Sequence, residues 1–174
     1  MFIEYLELPV DNWIEAVVDW LITNYRFVFQ KIKIPIELTL NNIEAFLQWL
    51  PPFVVILAFA ALGFWAAGRR TGLFALIGLL LIGVMGVWEE AMITLSMVLS
   101  SVIFCTLVGI PVGIIGSQSD RFYTTIRPIL DAMQSTPAFV YLVPVVMLFS
   151  IGSVAGVIAT IVFSIPPIIR LTSL

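Results

Sequence analysis

The chain has 174 residues, 61% of them hydrophobic and 11% charged, with a formal net charge of −3 and no histidine. A soluble domain carries about 25% charged residues, so this composition, with a mean hydropathy of +1.12, excludes a soluble enzyme and indicates an integral, all-α membrane protein. Without histidine the commonest general base and a leading metal ligand are missing, and eight scattered basic residues exclude a nucleic-acid patch.

The opening MFIEYLELPVDNW lacks the basic and apolar regions of a signal peptide, so insertion is expected to rest on internal segments. Residues 1–50 hold seven acidic and three basic residues and form an amphipathic prelude. Trp13, Val17, Trp20, Leu21, Phe27 and Val28 follow helical spacing, and Asn12 with Glu15 resembles a capping box. A break is expected at Pro35, after which Ile36, Leu40, Ile43, Leu47 and Leu50 repeat at spacings of four and three. Tryptophan on one face and charge on the other suit the membrane interface; packing against a soluble partner domain is the other reading.

The membrane portion is expected over 51–174, with spans at about 51–68, 71–88, 94–116, 128–149 and 154–169. The first two uncharged stretches have 18 residues each, near the minimum of about 17 for a crossing. Five alternating spans put Arg69, Arg70, Arg121, Arg127 and Arg170 on one side and Glu89-Glu90 on the other. The positive-inside rule makes the arginine side cytoplasmic and the amino terminus extracytoplasmic.

Cys105 lies in an apolar run and reads as a small buried hydrophobe. Pro111, between Gly109 and Gly113, predicts a kink one turn back, either lining a moving path or improving packing. Pro128 is expected in the first turn of span four, with Asp131 close behind it. There Asp131 either complements the helix dipole or contacts another subunit or the path. Gln134, Ser135 and Thr136 precede Pro137, a pattern suited to a hydrated break or to hydrogen bonds between helices. With Tyr141 they are the candidate path-facing residues. Pro144 and Pro166-Pro167 add further breaks, which favours a translocation bundle over an anchor. Trp13, Trp20, Trp49, Trp65 and Trp88 lie mostly near expected interfaces, where aromatic belts form, rather than in a cation cage. No catalytic, cofactor or metal motif is expected in this chain.

Three stretches carry a resemblance: LPVDNWIEAVVDWLITNYRFVFQKIKIPIE, GRRTGLFALIGLLLIGVMGVWEEAMITLSMVLSS and LDAMQSTPAFVYLVPVVMLFSIGSVAGVIATIVFSIPPIIRLTSL. Together they resemble the permease subunit of glycine betaine/proline betaine ABC importers, of the type I permease bundle. The resemblance implies uptake of betaine-type osmoprotectants across the inner membrane. It further implies a second permease copy, a cytoplasmic ATPase subunit that hydrolyses the ATP, and an extracytoplasmic substrate-binding protein. Members carry an EAA…G coupling loop after the segment matching Ile168–Leu174, so the chain is expected to be an amino-terminal portion of such a permease. A non-transporting membrane scaffold and half of an ion-coupled secondary transporter are the alternatives.

Overall fold

A computed structural model describes residues 10–174, and all seven elements among them are helices: α1 Val10–Trp49, α2 Pro52–Ala67, α3 Arg69–Val84, α4 Trp88–Gln118, α5 Asp120–Ser135, α6 Ala138–Phe149 and α7 Ser153–Thr172. The all-α expectation holds. The side chains of Asn12, Trp13, Glu15, Val17 and Leu21, on which the capping box and part of the first amphipathic face rest, lie outside the described residues. The chain forms two compact units. One comprises residues up to Glu37 together with Phe104–Leu174, and the other Leu38–Ile103.

Within the second unit, the core is Leu47, Val55 and Met92, with Phe59, Trp88 and Leu95 packed against them. Pro51 extends the backbone (φ −57°, ψ 136°) ahead of α2, and Phe27–Trp49 and Pro52–Ala67 meet at 104°. After Gly68, at φ +87°, α3 returns along α2. A Cβ on Gly63 would sit 3.1 Å from the Gly72 Cα, so the crossing depends on two glycines. Each of these helices has 16 residues, or about 24 Å at 1.5 Å per residue, against a hydrocarbon core of about 30 Å. Glu89 and Glu90 occupy the first turn of α4, where negative charge complements the helix dipole.

In the first unit, the carboxyl-terminal half of α4 packs on α7 through small residues. A Cβ on Gly109 would lie 2.7 Å from Ile168 Cγ2, and one on Gly113 would lie 2.5 Å from Thr172 Cβ. Cys105 Sγ is 3.7 Å from the Ile161 carbonyl and buried. Ser150 at φ +72° and Gly152 at φ +155° turn the chain from α6 into α7, within the turn expected at 150–153.

Two expectations are corrected and a third is met. Pro35 does not break the first helix, which runs through it for 40 residues; a proline removes one ladder bond, and the bonds on either side carry the helix on. Asp131 is not in a first turn, because α5 starts at Asp120, eight residues before Pro128, where Ser119 caps it, its side chain accepting from the Phe122 N–H at 3.3 Å. The break expected before Pro137 is present within 128–149: α5 and α6 meet at 97°, because Thr136 before Pro137 is held extended (φ −83°, ψ 128°).

Among the described residues, α4 and α7 are long and apolar enough to cross a bilayer alone, and up to four crossings result if each bent pair counts as one. Large side chains such as Phe53, Leu57, Trp65, Phe74 and Val84 are exposed. Their apolar surfaces suit a lipid solvent rather than water.

Candidate translocation site

The break between α5 and α6 gathers the polar candidates. Pro137 has no N–H, so the Met133 carbonyl loses its partner one helical turn later. The Tyr141 hydroxyl supplies the missing donor, reaching back to the Met133 oxygen at 2.8 Å. The Ala132 carbonyl accepts from Ser135 Oγ at 3.0 Å, Thr136 Oγ1 at 2.8 Å and the Thr136 N–H at 3.2 Å. Three hydroxyls singled out from the sequence therefore bond to the carbonyls that end α5. Gln134 is exposed beside them.

Asp131 sits in the later part of α5 and joins it to α7. Its Oδ1 accepts from Arg170 Nη2 in the last turn of α7, and its Oδ2 lies 4.0 Å from Arg127 Nε. Arg170 Nε is buried without a hydrogen-bond partner among the described residues. Arg170, expected only as a boundary marker, is thus the other half of the Asp131 contact, a pairing 39 residues apart in sequence.

Beyond the bend, a cavity of about 230 Å³ lies between α6 and α7. Phe139, Leu142 and Phe163 form its larger walls, and Ala138, Gly156 and Ala159 leave the space open. Sequence reasoning looked to the tryptophans for aromatic chemistry and passed over these two phenylalanines. Phe139 and Phe163 are 24 positions apart in chain order, and nothing local signals that they line one groove.

The helical architecture, the spanning-length apolar helices and the break at Pro137, closed by hydroxyl–carbonyl hydrogen bonds, define a polytopic membrane protein. Comparison with protein-family models finds no match. Over 167 residues, 96% of this chain, it is 47% identical to the glycine betaine/proline betaine transport system permease protein ProW of Escherichia coli (strain K12), covering 47% of that protein. It is 41% identical over 96% of its length to the glycine betaine transport system permease protein OpuAB of Bacillus subtilis (strain 168), covering 59% of it. Identity to the glycine betaine/carnitine transport permease protein GbuB of Listeria monocytogenes is 37%, over 96% of this chain and 60% of the relative. The chain spans about half the length of these curated relatives. Along nearly all of its own length it is similar to permease subunits of betaine transport systems, the resemblance that the three stretches carry.

Proposed function

We propose that this chain forms part of the translocation path of an ATP-driven importer for glycine betaine and proline betaine-type osmoprotectants. The single observation that carries this reading is identity of 41–47% over 96% of the chain to permeases named for those solutes. ATP hydrolysis takes place in a separate cytoplasmic ATPase subunit. An extracytoplasmic binding protein delivers the solute, and a second permease copy completes the path. The chain needs no cofactor of its own in this reading.

In the bilayer of the inner membrane, the prelude lies extracytoplasmically at the interface; taking α2 and α3 as separate short crossings gives a five-span order with every arginine after residue 50 on the cytoplasmic side. Exposed Trp20 and Phe27 support the interfacial placement, as does Lys31 Nζ lying 4.2 Å from the Phe27 ring centroid, a pairing that lets a charged residue sit against an apolar face. Gln134 faces the path, while Ser135, Thr136 and Tyr141 hold the break that shapes it.

The test is uptake of radiolabelled glycine betaine at high osmolarity by cells lacking other betaine carriers, with the complete permease containing this chain supplied alongside its ATPase and binding protein. ATP-dependent uptake, and copurification of the ATPase with the permease, are expected. Uptake that follows an ion gradient and persists without the ATPase would overturn the reading.

A further inference from the structure

The α6–α7 groove has the chemistry of a solute subsite. Its volume of about 230 Å³ is below the range of about 300–1,000 Å³ that houses drug-sized ligands, so it suits a small head group. None of its lining residues is charged. Its single hydroxyl, on Thr160, donates to the Gly156 carbonyl at 2.8 Å. A primary ammonium or a sugar would leave donors unsatisfied there. A fully alkylated ammonium has no N–H to satisfy and is attracted by aromatic faces. Phe139 and Phe163 supply two such rings, 81% and 46% exposed.

The entrance to α6 adds the complementary charge. Pro137 caps this 12-residue helix without a side-chain hydrogen bond, so its first-turn amides and the positive end of its dipole adjoin the groove at Ala138 and Phe139. A carboxylate is favoured at that end. The relatives are named for glycine betaine, proline betaine and carnitine, which share one alkylated ammonium and one carboxylate.

We infer that the groove between α6 and α7 is a transit subsite for betaines, with Phe139 and Phe163 selecting the alkylated ammonium and the amino-terminal end of α6 receiving the carboxylate. This rests on the transport reading above and extends it to named specificity-determining residues.

The test replaces Phe163, and separately Phe139, with phenylalanines bearing one, two and three ring fluorines in the assembled transporter. Fluorine drains the ring quadrupole with little change in shape, so folding is preserved. KM for glycine betaine is expected to rise stepwise with fluorine number at equal permease abundance in the membrane. Phe163→Leu is expected to raise KM by roughly five- to thirty-fold, and Phe163→Tyr to restore it. If the unsubstituted transporter takes up glycine betaine and the fluorinated series leaves KM flat, the groove is not a subsite and the transport reading stands. If the unsubstituted transporter takes up no betaine, the transport reading and the subsite fall together.

Discussion

Tyr141 does for Met133 what a backbone amide does elsewhere in a helix. Replacing it with phenylalanine leaves the Met133 carbonyl without the donor it has at 2.8 Å, at a cost of about 1–3 kcal/mol for an acceptor left unpaired. Thermal unfolding of the purified protein in detergent measures this. In a Pro137→Ala background the cost is expected to shrink, because residue 137 then carries its own N–H. Non-additivity in that double-mutant cycle identifies the hydroxyl as a substitute for the missing amide. Asp131 and Arg170 make a different kind of contact. With side chains 55% and 33% exposed, the pair is a partly solvated ion pair of about 0.2–1 kcal/mol. Asp131→Ala is expected to exceed that range, since Arg170 Nε is already buried without a partner and would lose its counter-charge. Exchanging the two residues, Asp131→Arg with Arg170→Asp, is expected to recover part of the loss, read by the same melt.

Among the elements, α4 carries a long row of small residues. Its buried face carries Ser96, Ser100, Cys105, Gly109 and Gly113 at spacings of four or five, the kind of small-residue stripe that lets membrane helices approach closely. The serine hydroxyls bond to carbonyls of their own helix, Ser96 to Ile93 and Ser100 to Ser96, both at 2.7 Å. They cost little to bury. Gly113→Ala would put a Cβ 2.5 Å from Thr172 Cβ and 3.0 Å from the Ile169 carbonyl. Backbone cannot step aside as a flexible side chain can, and the expected loss is about 1–3 kcal/mol. Gly78→Ala in α3 meets nothing within 4 Å and is expected to be neutral or stabilising by up to about 1 kcal/mol, from helix propensity alone. A thermal-shift comparison of the two variants separates close packing from intrinsic propensity.

At the scale of the whole molecule, the arginine distribution makes a test of sidedness. Cysteines placed at Gly68 and at Gly152, in a Cys105→Ala background, are expected to react with membrane-impermeant thiol reagents from opposite sides, Gly68 from the cytoplasm. Labelling of both from one side would remove the five-span order. Apolar stretches, their lengths and the turn between residues 149 and 154 were legible because each is a local property of backbone and solvation. So was the polar break before Pro137, since a missing N–H can be read from one residue. Local rules failed at Pro35 and Pro128, where a single proline was weighed as a helix boundary. Each lost ladder bond is outweighed when the helix on both sides is capped or packed, as Ser119 caps α5.

From the chain of residues alone came the membrane solvent, the helical class, the permease kinship and the position of the break. Only the folded structure could decide that three candidate hydroxyls turn back onto the α5 carbonyls, that Asp131 answers Arg170, and that Phe139 and Phe163 face one groove. The reason is physical. Solvent preference and backbone donors are properties of individual residues and their neighbours, whereas a hydroxyl's partner or a groove's walls depend on which helices meet and at what angle.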